Sequence, residues 1–385
     1  MRVLFTTLRE KTHFLPLLPF IEALQRQGHE VGVAAPPDFA ERVAATGATF
    51  LPFGHPGDEG LRPIWARFQG ASEDELKHIA IGELFAGACA GAAIPKLLET
   101  LAAWRPDLVA RETHEFAGML AAEKAGIPHV RIAIVSRRAE DETAALASAA
   151  VDAHRRTWGL AADPEGGCMR GEVALTLFPA SFEDRETPPS LRIRFRTPRP
   201  AAAPPLPDWW PGRQGPFVYV TLGTVTGRFE HMHDRYRTAL DTLGALPLRA
   251  LLTIGSDLPL DVLGAVPPNV HVERFVPQDE VLPHAAAVLN HGGSGTVLGT
   301  LAAGVPQVVV PIFADQPHNA IQAHAAGVGL ALPTGGVPAE QLRSALTRVL
   351  EEPSFRLAAQ KMAAEIAALP VIDEVATVAA RLASA

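Results

Sequence analysis

The sequence predicts an α/β protein with two doubly wound domains, each a parallel sheet flanked by helices. Three observations support this fold class. Apolar strand-like segments alternate with helical ones through residues 1–133, the same alternation begins again at residue 217, and a proline-rich stretch separates the two halves. Such alternation is typical of a parallel sheet with helices on both faces. A chain of 385 residues has room for two domains of ordinary size.

The first half begins with an apolar strand and a helix whose ends are marked in the sequence. Pro16 suits the first turn of that helix and Gly28 its C-terminal cap. Strands are predicted at residues 2–7, 31–35, 49–53, 107–110 and 129–133, and helices at 16–27, 39–46 and 115–125. The segment 54–90 does not fit the alternation, so we expect loops and helices there that line a pocket.

The second half repeats the pattern after an extended connector. Strands are predicted at residues 217–222, 249–254, 270–274, 287–290 and 307–311, and helices at 231–243 and 294–303. Prolines at 198, 200, 204, 205, 207 and 211 predict a stiff connector rather than a packed element. The expected organisation is therefore a first domain at 1–200, a linker at 201–213, a second domain at 214–370, and a last helix at 371–385 that crosses back to the first domain.

Composition excludes several classes of protein. Hydrophobic residues make up 48% and charged residues 20%, so each domain can build a full core. The net charge of −8 and the lack of a basic run argue against nucleic acid as a partner. Cys89 and Cys168 lack metal-site spacing, which fits a reducing cytoplasm. The first apolar run is too short for a signal peptide, and no membrane-spanning helix is expected.

The most informative motif is a glycine-rich turn between a predicted strand and a predicted helix. It reads His291, Gly292, Gly293, Ser294, Gly295 and Thr296. A turn that enters a helix presents backbone N–H groups and the positive end of the helix dipole to an anion. The missing side chains let a diphosphate come close, while the hydroxyls and the imidazole can donate hydrogen bonds. The turn lacks the Lys of a Walker A loop and the spacing of a dinucleotide fingerprint.

Three neighbouring segments add candidate ligand contacts. Gly223 and Thr224 end the first strand of the second half, where α/β proteins bind ligands. After a later strand, Phe275 can stack on a nucleobase whose edge meets the backbone of Val276, beside Gln278. A carboxylate next to an amide suits several sugar hydroxyls, and such a pair follows the strand at 307–311. This pair is Asp315 and Gln316.

Together these motifs resemble glycosyltransferase family one, which has the GT-B fold of two Rossmann-like domains facing across a cleft. The likeness runs along nearly the whole chain and is greatest to bacterial glycosyltransferases that decorate macrolides, enediynes and aromatic polyketides. It implies an inverting transfer that needs no metal and no cofactor beyond the sugar nucleotide. It further implies a nucleotide-sugar site in the second domain and an acceptor site in the first. A homodimer is left open.

The resemblance also implies a catalytic base and its partner. His13 follows the first strand, on a loop at the carboxyl edge of the sheet, where a near-neutral imidazole can deprotonate a hydroxyl. A base histidine needs an acid to hold its tautomer. Glu112 stands where the family has an Asp, and Thr12 replaces the Gly that usually precedes the histidine. The sequence shows no acidic metal cluster.

One position bears on the donor. Family members that use UDP-sugars commonly carry a Glu eight residues after the histidine of the turn, where this chain has Gly299. A 2′-deoxyribose has one hydroxyl fewer, so the loss of that acceptor favours a dTDP-linked donor, expected to be a deoxysugar. Two alternatives stay open at this point. One is a sugar-nucleotide epimerase of the same fold, and the other is a non-catalytic protein that binds nucleotide sugars.

Overall fold

The computed structural model describes residues 1–68, 70–183, 192–198, 203–224 and 226–383. The chain divides into two compact units. The first comprises Met1–Leu177, Glu186–Thr197 and Pro370–Ala385, and the second comprises Phe178–Arg185 and Pro198–Leu369. Each unit has one sheet, and the described strand pairs of both sheets are all parallel. The predicted fold class is confirmed.

The sheet of the first unit has seven strands in the order β3-β2-β1-β4-β5-β6-β7. The strands are β1 (Arg2–Thr6), β2 (Glu30–Ala35), β3 (Thr49–Pro52), β4 (Leu108–Glu112), β5 (His129–Ala133), β6 (Ala174–Thr176) and β7 (Arg192–Arg194). The central strands are almost wholly buried, as expected where helices cover both faces.

The helices of the first unit differ in length from those expected. They are α1 (Lys11–Phe14), α2 (Leu18–Arg26), α3 (Ala40–Ala44), α4 (Gly57–Phe68), α5 (Glu73–Lys77), α6 (Ala90–Trp104), α7 (Ala117–Ala125), α8 (Arg137–Thr157) and α9 (Gly167–Gly171). A π-helix, His78–Cys89, joins α5 to α6. This π-helix and α8 were not predicted, although in α8 the buried Ala139, Thr143, Ala147 and Val151 do follow a helical period.

One helical run in the described part of the chain, Asp74–Trp104, is long and apolar enough to cross a membrane by length and composition. One such run is weak evidence, since a core helix passes the same test. Its residues Ala93, Ile94 and Leu97 are buried in a core cluster of the first unit together with Val109 of β4. The run therefore serves as a packed helix of the first unit.

The sheet of the second unit has six strands in the order β10-β9-β8-β11-β12-β13. They are β8 (Phe217–Thr221), β9 (Arg249–Thr253), β10 (Val270–Glu273), β11 (Ala287–Asn290), β12 (Gln307–Val309) and β13 (Gly329–Ala331). The helices are α10 (His233–Gly244), α11 (Gln278–Val281), α12 (Ser294–Ala303), α13 (Gln316–Ala325), α14 (Ala339–Glu351) and α15 (Pro353–Ala367). The predicted strands and both predicted helices lie here within a few residues.

The connector between the halves differs in part from the sequence expectation. Residues 199–202, where the linker was predicted to begin, lie outside the described residues. From residue 203 onward most of the connector is exposed and has no helix or strand, but Trp210 is buried against Phe217 and Trp209 stacks on His271 with ring centroids 4.9 Å apart. The expectation of an unpacked strap is wrong only at these two tryptophans, whose large apolar rings pack against the second unit.

Two short segments pack in a different unit from the residues that precede them in the chain. Phe178 and Phe182 are buried with Val297 of α12 and Met362 of α15, so this segment, predicted in the first domain, packs in the second unit. The last helix, α16 (Val375–Ala383), packs in the core of the first unit. Asp373, just before it, forms a 2.7 Å salt bridge with Arg26 of α2.

Candidate active site

His13 lies in a short helical turn directly after the carboxyl end of β1. The sequence placed it on a loop, but its backbone N–H donates to the Glu10 carbonyl at 3.0 Å, within α1. Both sides of the turn are anchored by buried side chains, since Leu8 packs with Leu61 and Leu84 whereas Phe14 packs in the core beside the sheet. The His13 side chain is 12% exposed, so the ring has limited access to solvent. The imidazole is thereby held in place and still reachable.

Glu112 is the last residue of β4, and its side chain is fully buried beside His13. Its Oε1 lies 2.9 Å from His13 Nδ1, and its Oε2 accepts the His114 backbone N–H at 2.7 Å. Burial favours a higher pKa for Glu112, but the charge and hydrogen bond of His13 outweigh burial and hold that pKa below its ordinary value. A carboxylate only accepts, so His13 Nδ1 carries a proton, and in the neutral form of the ring Nε2 keeps a lone pair.

Two side chains that the sequence did not single out complete the surroundings of this pair. The ring of His114 meets that of His13 edge-on, with centroids 5.4 Å apart, and Phe85 of the π-helix meets His13 at 5.5 Å. Burial lowers the pKa of His114 to about 4, against the opposing charge of Glu112. His114 is therefore neutral near pH 7 and leaves the charge of Glu112 for His13. Its position two residues after Glu112 is the feature of the sequence that could have identified His114 as part of the site.

The same three polar side chains bear on metal binding. His13, Glu112 and His114 offer ligand atoms that all lie within 4.8 Å of one another. Two imidazoles and a carboxylate can bind zinc. The direct 2.9 Å contact between His13 and Glu112 is, however, the geometry of a histidine with its orienting acid. The arrangement can perform base chemistry without further groups.

The glycine turn of the second unit lies between β11 and α12, as predicted. Gly292 has φ +88°, and a side chain there would come within 2.9 Å of Val309 and 3.0 Å of the Gln316 carbonyl. This glycine is therefore required by packing against the sheet. Gly295 faces open space, because in the described part of the chain no atom lies within 4 Å of the position that a Cβ would occupy. Gly295 thus combines the N-terminus of a helix with room for a ligand.

His291 fills the space that two of the predicted glycines leave. A Cβ at Gly223 or Gly293 would come within 2.7 Å or 2.5 Å of its Nε2. Burial lowers the pKa of His291 to about 4, so the ring is neutral near pH 7. A hydrogen bond with the backbone of Thr221 opposes this lowering only in part. Gly223 and Gly293 thus leave the space that the imidazole occupies. Because the ring is neutral, it can bind a ligand by a hydrogen bond but not through a positive charge.

Ser294 and Asp315 form part of a polar cluster with Asn319 of α13. Ser294 Oγ donates to Asp315 Oδ2 at 2.5 Å, and Asn319 Nδ2 donates to the same oxygen at 2.8 Å and to the Gly292 carbonyl at 2.8 Å. Burial raises the pKa of Asp315 above its ordinary value, and these hydrogen bonds oppose the rise. The cluster ties the glycine turn to α13.

The side-chain amide oxygen of Gln316 has partners within the protein. The residue is 4% exposed, and its Oε1 accepts the backbone N–H groups of Ile312 and Phe313 at 2.8 and 3.0 Å. The loop between β12 and α13 lacks ladder partners, so its buried N–H groups take the amide oxygen. That oxygen is engaged by the protein's own backbone. The pairing of Asp315 and Gln316 at sugar hydroxyls therefore stays a prediction, in which Gln316 can take part only through its Nε2 group.

The predicted nucleobase contacts lie on the segment after β10. Phe275 is 73% exposed, far more than is usual for an aromatic side chain, so its ring is accessible for stacking. Val276 packs partly against the core, and Gln278 Nε2 donates to the hydroxyl of Thr296 at 3.1 Å. Thr296 is itself buried, whereas Thr224 is exposed at the end of β8. The segment and α12 thus share one polar contact.

Comparisons with known proteins agree with this architecture. The C-terminal and N-terminal domains described as erythromycin biosynthesis protein CIII-like match residues 237–382 and 22–194. Tylactone mycaminosyltransferase of Streptomyces fradiae is 31% identical, over 96% of this chain and 90% of that protein. The crystal structure of the glycosyltransferase SnogD from Streptomyces nogalater is 30% identical, with a TM-score of 0.74 over 100% of this chain and 99% of that one.

A second similar structure holds a nucleotide. The crystal structure of the glycosyltransferase VinC in complex with dTDP is 26% identical, with a TM-score of 0.73 over the full length of both chains. The two matched domains together span most of this chain, and the identities extend over almost all of it. The chain therefore belongs to the erythromycin biosynthesis protein CIII-like family and is a glycosyltransferase of the GT-B fold.

Proposed function

We propose that this glycosyltransferase moves a deoxysugar from a dTDP-linked donor to a hydroxyl of a hydrophobic natural product, such as a polyketide or enediyne aglycone, with inversion at the anomeric carbon. The observation that carries the proposal is the 2.9 Å contact of His13 Nδ1 with the buried Glu112. Membership of a glycosyltransferase family favours transfer over the epimerase and the non-catalytic binding protein.

His13 is the base of the proposed reaction. Its Nε2 takes the proton of the acceptor hydroxyl while that oxygen attacks the anomeric carbon. Glu112 stabilises the imidazolium that forms, as the charge on the ring develops only when the proton arrives. Attack from the face opposite the departing diphosphate inverts the configuration. The buried position of Glu112 strengthens this interaction relative to an exposed pair.

The leaving group is the dTDP diphosphate in this proposal. Its negative charge is stabilised by the N–H groups and dipole at the start of α12, near Gly295 and Ser294, and by the neutral ring of His291. Phe275 stacks on the thymine. The proposed transfer needs no metal, because these groups carry the charge that a divalent cation takes up in other transferases. The protein's part is to hold preformed donors where charge develops.

The donor class draws support from two directions. Gly299 has no side chain to bind a ribose hydroxyl, and Gln278 Oε1 lies 3.7 Å from where a Cβ would be. The similar VinC structure contains dTDP, and a similar protein is named TDP-daunosamine transferase. The relatives named as mycaminosyl and L-demethylnoviosyl transferases support a deoxysugar and a natural-product acceptor.

Mass spectrometry of reaction mixtures tests the proposal. The protein is incubated with a panel of dTDP- and UDP-sugars and a panel of polyketide aglycones, with and without a chelator. We expect a glycosylated aglycone from a dTDP-deoxysugar and no loss of product when the chelator is present. Product from UDP-sugars alone would refute the donor assignment, and a strict magnesium requirement would refute the metal-independent mechanism.

A further inference from the structure

Two buried arginines lie side by side in the sheet that carries the candidate base. Arg111 on β4 and Arg131 on β5 are register partners, and they are 1% and 4% exposed. Both form salt bridges with Glu172, at 2.6 Å and 3.3 Å, and Arg131 also pairs with Glu140 at 2.8 Å. The two arginines are both buried and both bind Glu172, so Arg131 is a suitable control for substitutions of Arg111.

The two arginines differ in the backbone that they hold. Arg111 Nη1 donates to the carbonyls of Glu112 at 3.1 Å, Thr113 at 2.9 Å and Glu115 at 3.2 Å. Its Nε and Nη2 meanwhile donate to Glu172 at 3.0 and 2.6 Å. One guanidinium thus joins a fully buried carboxylate to three carbonyls at the end of β4 and in the loop that follows.

Arg131 makes no such contact with that loop in the described part of the chain. Its Nη1 donates to the Met169 carbonyl at 2.5 Å, which lies in α9. Its other hydrogen bonds go to Glu140 and Glu172. Replacement of Arg131 therefore disturbs the same ion network while the carbonyls around Glu112 keep their donor.

The loop that Arg111 holds includes the orienting acid itself and the backbone N–H that fixes its carboxylate. Glu112 begins it, and the N–H of His114 donates to Glu112 Oε2 at 2.7 Å, leaving Oε1 for His13. The Thr113 carbonyl belongs to the same peptide group as this N–H, and the Glu112 carbonyl belongs to the peptide group before it. The position of these two carbonyls therefore decides where the carboxylate is aimed. We propose that Arg111 is a positioning residue, which keeps Glu112 on His13 Nδ1 and so fixes the imidazole tautomer.

This inference rests on the proposed role of His13 as the base. Lysine at position 111 would keep the positive charge but could not reach three carbonyls and bind Glu172 at two points at once, because its ammonium is a compact group without the planar fork of a guanidinium. A loosened loop lets Glu112 move from Nδ1, and the proton then distributes between the two ring nitrogens. Small displacements of this kind cost up to about 100-fold in rate.

The experiment compares Arg111→Lys with Arg131→Lys in the full chain. The tautomer of His13 is read from its imidazole ¹⁵N chemical shifts by NMR, assigned by the signal that His13→Ala lacks. We expect the Nδ1–H form in the parent protein and in Arg131→Lys, and a mixture of tautomers in Arg111→Lys. For the reaction, kcat should fall about 10- to 100-fold in Arg111→Lys with KM for the donor unchanged, and less than about 3-fold in Arg131→Lys.

Melting temperatures of both variants separate positioning from general destabilisation. An unchanged His13 tautomer in folded Arg111→Lys, or an equal change in Arg131→Lys, would overturn the proposal. If Arg111→Lys does not fold, Glu172→Asp is measured instead, because it shortens the carboxylate side chain that binds Arg111. We expect a partial change of the His13 tautomer in Glu172→Asp, and an unchanged tautomer there would also overturn the proposal. A shifted tautomer in Arg111→Lys together with full activity of His13→Ala would instead contradict the proposed base while leaving the positioning role of Arg111 intact.

Discussion

The loop after β4 and the turn after β11 occupy equivalent places in the two sheets, since each strand lies next to the first strand of its unit and leads into a helix. Their chemistry is opposite. Buried charges surround the first, among them Arg111, Glu112 and Glu172. Around the second lie mainly neutral amides, with Asn290 Nδ2 donating to Gln307 Oε1 at 2.8 Å and Asn319 holding the turn. The charged exception is Asp315, whose carboxylate accepts from Ser294 at 2.5 Å.

The difference follows from what each edge has to stabilise in the proposed reaction. A base that gains a proton needs a fixed negative charge beside it, and a buried carboxylate needs cations to compensate for its lost hydration. A site for a diphosphate gains from the positive end of α12, which the carboxylate of Asp315 opposes only in part. One topology thus supports a charged edge for proton transfer and a neutral edge for anion binding.

The largest effect is expected at the charged edge. His13→Ala removes the proposed base, so turnover should fall about 10²- to 10⁴-fold while affinity for dTDP stays near that of the parent. Steady-state kinetics and calorimetry measure the two quantities. His231→Ala, at an exposed position of the second unit, is the control and should change neither. Near-normal turnover of His13→Ala would show that His13 is not the base, and the charged edge would then have no assigned role in proton transfer.

Glu112→Ala is expected to have the next largest effect. It removes the hydrogen bond to His13 Nδ1 but leaves the imidazole, so turnover should fall about 10- to 100-fold, less than in His13→Ala. The double variant should be no worse than His13→Ala alone, because the acid acts through the base. A silent Glu112→Ala would mean that another group orients the ring.

The neutral edge is probed by two glycines of the turn. Gly293→Ala and Gly295→Ala should each weaken dTDP binding about tenfold in calorimetry, by about 1.4 kcal/mol. Gly293→Ala acts by displacing His291, whose Nε2 would lie 2.5 Å from the new methyl, and should also lower the melting temperature. The methyl of Gly295→Ala meets no atom of the described residues, so the melting temperature should stay unchanged or rise. Unchanged dTDP affinity in both would exclude the turn as the diphosphate site.

Lowering the pH should reduce the stability of the fold at both edges, and over the same pH range. His114 and His291 have pKa values lowered by burial to about 4, from the ordinary 6.5. The unfolded chain then binds protons before the folded one, so stability is lost as pH falls from 6.5 toward 4. Glu115, whose pKa burial raises to about 6, opposes part of this loss. Melting temperatures of His114→Gln and His291→Asn should depend less on pH than those of the parent, and equal dependence would contradict the assignment.

The smallest effect is expected from Gly299→Glu. The new carboxylate can bind the extra ribose hydroxyl of a UDP-sugar, so the ratio of dTDP to UDP affinity should fall by a few-fold. Leu282 Cδ1 lies 3.1 Å from the Cβ position and must shift slightly. Gly299→Gln, which introduces similar bulk without the charge, is the matched control. If the parent binds UDP as tightly as dTDP, the inference from Gly299 is wrong.

Much of the architecture could be predicted because it is local. Apolar runs such as that of β8 and glycines such as Gly126 and Gly304, both in the left-handed conformation at helix ends, identify strands and helix termini from neighbouring residues alone. The pairing of His13 with Glu112 was predictable on the same basis together with the family resemblance. Both residues lie at the carboxyl ends of strands in one parallel sheet, and those ends share an edge.

The remaining features depended on which side chains met across the fold. His13 and Glu112 are 99 residues apart in the chain, and no local pattern reveals that Arg111 holds the loop between the acid and His114. The engagement of Gln316 by its own backbone likewise followed from a loop without ladder partners. Sequence determined the strands, the glycine turn and the candidate base, whereas the tertiary structure decided which polar groups satisfy one another, because burial makes each hydrogen bond depend on distant partners.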